Sequence, residues 1–352
     1  MSGPDRSSGP GQEPGIGHEP HLDPEPRPGL KTFTLEGRAA PGLFLVGWLA
    51  VIMGAGVLIV ASLSGLGPTI RLVLALVGLG LLSLGLVAGA GSQAMERKAR
   101  AVSQGDGESH GAGVGVYAGP SPFLVLLAAL PLSILLVTVV VGPLVGLGLD
   151  AGGPAAIFIT VALQGIVYIA LIRLLVVGPG SLSWRDMGIG GRPAGALVED
   201  VAWGAVLAVP VIVATVLVAG VMLSILPAPD SPIPPNGGST GAVFNFLAAV
   251  VIAPAGEELF FRGFATTAWM RSMSPRGTIL RGALFFAAVH VLTVGGADFG
   301  DAAGRAAVAF VSRLPVAIAL GLVFTRRRSL AAPIALHATY NGLLFLAQFA
   351  GG

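Results

Sequence analysis

The chain has 352 residues, of which 54% are hydrophobic and only 11% are charged. A soluble domain carries about 25% charged residues, so this composition indicates a protein with several membrane spans and excludes an ordinary soluble enzyme. The formal net charge of +2 says little about partners, because the placement of charge in the loops matters more than the sum, and no nucleic-acid partner is expected. The lack of cysteine excludes disulfides, thiolate metal sites and a cysteine nucleophile.

The first 38 residues differ sharply from the rest of the chain. They are rich in proline, glycine and acidic residues and contain almost no bulky apolar side chain. Such a segment buries too little apolar surface to offset its chain entropy, so residues 1–38 are predicted to be a disordered cytoplasmic tail. The tail lacks the apolar centre of a cleavable signal peptide, and the first span is therefore expected to direct insertion.

Nine stretches of about 20 mostly apolar residues predict membrane-spanning helices. The predicted spans are 42–63, 70–90, 122–146, 154–177, 201–226, 243–268, 280–296, 306–325 and 330–349. The seventh and eighth are weak by hydropathy, since the seventh is short and contains His290 and the eighth contains Arg313 and Pro315. The predicted fold is an all-α, polytopic transmembrane bundle of about nine spans.

The connecting loops predict the orientation of this bundle. If the loops are assigned to alternate sides, one set carries nearly all of the Lys and Arg near the membrane, and the other set carries only Arg305. Positive residues stay on the cytoplasmic side, so the N-terminus is expected inside and the C-terminus outside a cell membrane. We divide the chain into the tail, a two-span region with a cytoplasmic loop over 39–120, and a core over 121–352.

Few ionisable residues lie deep within the predicted spans. The acidic ones are Glu257 and Glu258, and the histidines are His290 and His337. Charges inside a membrane cost several kcal/mol, so they are rare and usually functional. The alternative is a structural polar cluster that holds three helices together.

In the segment GEELFFRG, residues 256–263, the two glutamates face different sides of the predicted helix. Glu258 and Arg262 are four residues apart on one helical face, in the favourable order for an ion pair. Glu257 lies about 100° around the helix and is expected to face a cavity and do chemistry, with the pair in support. In the alternative, Arg262 bridges both carboxylates.

Two further spans carry histidines with a neighbour four residues away. Phe286 precedes His290, and a stacked ring there would fix the imidazole, although ordinary packing would give the same spacing. His337 precedes Asn341, which alone would indicate a helix–helix hydrogen bond but beside a histidine suggests a second donor.

Together, these groups could activate water for attack on a carbonyl and stabilise the oxyanion that forms. The same groups could also bind a divalent metal, zinc above all, through Glu257, His290 and His337.

Other membrane chemistries fit less well. The chain has no HExxH zinc helix, no serine in a GxSG context within a span, and no aspartate within a span. A non-enzymatic immunity or scaffold protein with a structural polar cluster stays open. A proton-coupled carrier also stays open but ranks last, because no internal repeat is visible.

The order EExxxR, FxxxH and HxxxN, each on a separate span, resembles the CPBP family of intramembrane endopeptidases, also called the CAAX protease, bacteriocin-processing or Abi family. The resemblance is close from Phe244 to Phe349, and SWRDMGIG upstream resembles the start of that family's core. It implies an endopeptidase that cleaves peptide or protein substrates at the cytoplasmic leaflet.

The resemblance also implies roles for individual residues. Glu257 and His290 would activate the attacking water. His337 and Asn341 would stabilise the oxyanion. Glu258 and Arg262 would support them. Both a metal-free glutamic mechanism, slightly favoured here, and a metalloprotease mechanism have been described for relatives.

Overall fold

The computed structural model describes residues 3, 35, 37–63, 65–103, 116–230 and 238–350. Nearly all of the predicted tail lies outside these residues. The described part of the chain forms nine helices and no strand. The helices are α1 (Pro41–Ser62), α2 (Pro68–Ser103), α3 (Pro122–Gly146), α4 (Pro154–Val177), α5 (Ala194–Leu223), α6 (Gly238–Met270), α7 (Pro275–Val289), α8 (Phe299–Arg327) and α9 (Ala331–Ala350).

Seven of these helices, α1 to α6 and α8, are long and apolar enough to cross a membrane. This confirms the predicted all-α, polytopic bundle, and the nine helices correspond one to one with the nine predicted spans. The count of nine crossings, and the orientation that depends on it, stay predictions.

The predicted seventh span, 280–296, is placed too far along the chain. The helix in this region is α7, which has 15 residues and ends at Val289. Its rise is about 22 Å, less than the roughly 30 Å of a hydrocarbon core. Apolar residues after His290 extended the hydropathy signal beyond the helix, so His290 lies at the end of α7 and not near its middle.

The first two helices pack through glycine, as close membrane helices often do. A Cβ atom on Gly54 would lie 2.5 Å from the backbone nitrogen of Leu82, and one on Gly85 would lie 2.6 Å from the carbonyl oxygen of Gly47. Only a residue without a side chain lets these backbones approach so closely. The α1–α2 pair carries none of the motif residues.

Helix α6 is irregular where the two glutamates lie. Its α-helical stretch Ala253–Glu258 is flanked by π-helical turns at Leu247–Ile252 and Leu259–Thr266. Such turns loosen the regular backbone bonding and are frequent at functional sites. Some of their carbonyls accept side-chain hydrogen bonds here, as at Phe261, whose oxygen lies 2.8 Å from Thr266 Oγ1.

An aromatic cluster fixes α7 against α6. The Phe261 ring packs edge-on against Phe285 and Phe286, with centroid distances of 5.4 and 5.1 Å. Edge-to-face aromatic pairs stabilise a core beyond their buried area. A second buried cluster joins α5, α8 and α9 through residues such as Ala208, Leu320 and Leu336. These two cores place α6, α7, α8 and α9 around one point.

Candidate active site

A fully buried ion pair forms the base of the site. Oε1 of Glu258 accepts hydrogen bonds from Arg262 Nη1 at 3.0 Å and from His337 Nδ1 at 2.8 Å. Arg262 Nη2 donates to the Ala317 carbonyl on α8 at 3.3 Å. Buried charges are tolerated when they are paired and hydrogen-bonded. The spacing in α6 therefore produces the expected pair, and the pair also connects α6 to α8 and α9.

Glu257 points away from this network. Its side chain is 23% exposed, whereas that of Glu258 is fully buried. Its Oε2 atom lies 3.6 Å from His290 Nε2 and 3.9 Å from His337 Nε2. None of the described residues donates a hydrogen bond to this oxygen. The partners of Arg262 are Glu258 and Ala317, so Arg262 does not bridge the two carboxylates.

The hydrogen bonds of both histidines fix which ring nitrogen faces the site. His290 Nδ1 lies 2.8 Å from the Phe286 carbonyl oxygen, which can only accept, so Nδ1 carries the hydrogen. His337 Nδ1 likewise donates to the carboxylate of Glu258. In each ring Nε2 is therefore the nitrogen turned toward Glu257, and the bond made by the other nitrogen orients it.

Phe286 contacts three of the polar groups. Its ring centroid lies 4.3 Å from that of His290 and 5.8 Å from that of His337. The guanidinium carbon of Arg262 lies 4.4 Å from the same centroid, in cation–π geometry. The ring is almost fully buried, at 2% exposed. It separates the charged groups from water and limits the rotation of both imidazoles.

Asn341 makes the helix–helix hydrogen bond that its residue type alone would predict. Its Nδ2 donates to the carbonyl oxygen of Ala249 at 2.8 Å, which joins α9 to the first π-helical turn of α6. One amide hydrogen is therefore committed to the fold, and the other is left for a second acceptor. Its role as an oxyanion donor stays a prediction.

Two polar residues on α4 are not among the site residues predicted from the sequence. Gln164 and Tyr168 line a cavity of about 10 Å³ together with Gly256 and Glu257 of α6. Gln164 Nε2 donates to the Tyr168 hydroxyl oxygen at 3.1 Å, and Tyr168 is only 3% exposed. A survey of neutral polar residues within spans, and not only ionisable ones, would have found this pair four residues apart.

The sequence predicts a candidate zinc site formed by Glu257, His290 and His337. Within the described ranges, no group of three or more His, Cys, Asp or Glu side chains is arranged to hold a metal ion. Zinc binding by Glu257, His290 and His337 stays a prediction.

A protein-family model matches the part of the chain that runs from α6 into α9. Residues 239–343 match the family described as type II CAAX prenyl endopeptidase Rce1-like, and this range contains all seven motif residues. No curated protein and no solved structure matches the chain. The match over residues 239–343 confirms the CAAX-protease resemblance of the three motifs.

Proposed function

We propose that this multi-pass membrane protein is an intramembrane endopeptidase that hydrolyses peptide bonds of membrane-associated peptides or proteins. The match over 239–343 supports a hydrolase of the CAAX endopeptidase kind. The observation that carries the mechanism is the position of Glu257, outside the Glu258–Arg262 network and facing Nε2 of two histidines.

Glu257 and His290 activate the attacking water in this proposal. The carboxylate accepts one water hydrogen, and Nε2 of neutral His290 accepts the other, which turns an oxygen lone pair toward the substrate carbonyl. The cavity of about 10 Å³ beside Glu257 has the size that one water occupies. We assign Gln164 and Tyr168 to positioning this water from the α4 side.

His337 stabilises the oxyanion in this proposal. This role requires a hydrogen on both ring nitrogens of His337. Its Nδ1–H remains bonded to Glu258, and its Nε2–H is free for the developing oxyanion. The second amide hydrogen of Asn341 is the other candidate donor.

Glu257 completes the cycle by proton transfer. The water oxygen forms the new bond to the carbonyl carbon, and Glu257 holds the proton that the water releases. Collapse of the tetrahedral intermediate breaks the carbon–nitrogen bond, and Glu257 passes its proton to the departing amine. The new carboxylic acid then gives the second water proton to the amine, so the products are a carboxylate and an ammonium group, with one water consumed.

Substrate is proposed to reach the site from the side with the arginine-rich loops, in the cell membrane. His337 lies six residues after the start of α9, a rise of about 9 Å. Arg326 and Arg327 form the end of α8, and Arg328 follows in the turn before α9. A peptide held at that leaflet therefore needs to enter less than half of the bilayer thickness to reach His337.

The second candidate is a non-enzymatic membrane protein, such as an immunity or scaffold protein. The buried Glu258–Arg262–His337 network favours it, because such a network could serve packing alone. The two functions differ in what Glu257 does. Membrane proteomics of cells with wild-type protein or Glu257→Gln, read for new N-termini that disappear in the variant, tests the endopeptidase directly.

A further inference from the structure

A second cavity lies away from the motif residues, where the ends of four helices meet. Its volume is about 230 Å³, the space of roughly seven waters. It lies between the C-terminal parts of α2 and α6, the start of α3 and the first turns of α7. The lining residues are Arg97, Tyr117, Ser121, Pro122, Ala268, Trp269, Ser272 and Arg281.

Two arginines line this cavity, and no described carboxylate pairs with either. Arg97 Nη1 donates to the Gly119 carbonyl oxygen at 3.0 Å. The adjacent Glu96 is taken by Arg38 at 3.0 Å and by Arg100 at 3.3 Å. Two guanidinium groups beside one polar cavity, without counter-ions among the described residues, indicate an anionic ligand.

Aromatic rings hold Arg281 in place. Its guanidinium carbon lies 5.0 Å from the ring centroid of Phe123 and 4.9 Å from that of Trp269. Stacking fixes the plane of the guanidinium. Its Nη1 also donates to Met273 Sδ at 3.4 Å, and the remaining edge donors are left for a ligand. The ligand therefore meets a donor that is already oriented.

The start of α3 borders the same cavity through Ser121 and Pro122. The Ser121 N–H donates to Gln93 Oε1, and proline has no N–H, so the nearest unpaired amides belong to the two residues that follow. This helix has 25 residues, no acidic residue in its first turn and no side-chain cap on Ser121. The bond from Val125 N–H to the Ser121 carbonyl is the first of its helical series, so the amides of Phe123 and Leu124 have no acceptor within the helix. A free helix N-terminus favours phosphate and other anions.

The position of the cavity identifies the source of the anion. The helix ends around it belong to the side with the arginine-rich loops, and Trp269 and Tyr117 are residues typical of the headgroup region. Exposed apolar side chains of α3 and α7 lie next to the cavity and offer a surface for acyl chains. They are Phe123, Leu127, Leu280 and Leu284. Basic pockets between spans at this leaflet bind lipid headgroups.

We propose that this cavity binds the phosphate of an anionic phospholipid, with Arg97 and Arg281 as its charged ligands. Arg281 lies nine residues before His290 on α7, a rise of about 13 Å. A bound headgroup would therefore hold the helix that carries Phe286 and His290. The inference does not depend on peptidase activity.

The test measures lipid retention by native mass spectrometry of the full-length protein. Wild type is expected to retain phosphatidylglycerol and to lose phosphatidylcholine. Each basic residue near a membrane surface contributes about fivefold in affinity, so Arg97→Gln with Arg281→Gln should lower retention roughly 25-fold. Arg276→Gln, an exposed arginine outside the cavity on the same helix, is the matched control and should lose clearly less retention than Arg281→Gln. Glu257→Gln should retain the lipid.

Two results would overturn the proposal. One is equal phosphatidylglycerol retention by wild type and the double variant. The other is displacement of the lipid by millimolar inorganic phosphate or glycerol phosphate, which would assign the cavity to a soluble anion. If the double variant does not fold, Arg281→Gln alone, at an exposed position, should still reduce retention about fivefold.

Discussion

His290 Nε2 lies 3.6 Å from Glu257 Oε2, whereas His337 Nδ1 lies 2.8 Å from Glu258 Oε1. Two adjacent glutamates on α6 are thus each matched with a histidine from a different helix. The tighter and fully buried contact belongs to the network that includes Arg262. The looser contact lies beside a cavity, and this difference separates a supporting glutamate from a reacting one in the proposed function.

Glu258→Gln should destabilise the protein strongly. The change leaves Arg262 buried without a charged partner and weakens the bond that orients His337. Breaking a buried pair typically costs about 3–5 kcal/mol, so thermal melting in detergent should show a large decrease in Tm. A melting curve equal to that of wild type would contradict the assignment of Glu258 as the centre of the network.

Tyr168→Phe should reduce cleavage with little effect on folding. The hydroxyl accepts from Gln164, and its loss would free the amide that lines the water-sized cavity. One hydrogen bond is worth about 1 kcal/mol, so kcat should fall about fivefold while KM changes little. Ile169→Val, on the lipid-exposed side of α4, is the control. An equal loss in the control would assign the effect to helix packing.

Substrate access should be restricted to the arginine-rich side of the membrane. The chain has no native cysteine, so a single Ala253→Cys, at a residue that lines the cavity beside Glu257, gives an unambiguous label. In sealed vesicles of known orientation, a membrane-impermeant maleimide should label this cysteine from the cytoplasmic face, and added substrate should slow the labelling. Labelling from the outer face alone would contradict both the access route and the predicted orientation.

A strong chelator should leave cleavage unchanged. The proposed water activation uses the Glu257 carboxylate and the His290 imidazole directly. The measurement is the cleavage rate after dialysis against the chelator, with and without added zinc. Loss of activity that zinc restores would favour the metalloprotease mechanism.

Much of the site followed from spacing within single helices. The direction of Glu257 relative to Glu258 and the pairing of Glu258 with Arg262 depend only on helix geometry, and both are present in the structure. The bond from His337 to Glu258 joins residues 79 positions apart, so local spacing could not reveal it. It depends on how α9 packs against α6.

Physical reasons also explain why some features could not be predicted from the sequence. The π-helical turns of α6 differ from α-helix by a shift in bonding partner, which hydropathy does not record. The end of α7 at Val289 lies inside an apolar stretch, because residues after it remain hydrophobic without being helical. Gln164 and Tyr168 carry no charge and were therefore not distinguished from other residues of their span.

The most direct test of the proposed function compares purified Glu257→Gln with wild type in the same lipid. The substitution keeps the size of the side chain and leaves the Glu258–Arg262–His337 network intact, so Tm should stay close to that of wild type. Removal of a general base should lower the cleavage rate by about 10²–10⁴-fold. Full cleavage by a folded Glu257→Gln protein would contradict the assignment of Glu257 as the residue that activates water.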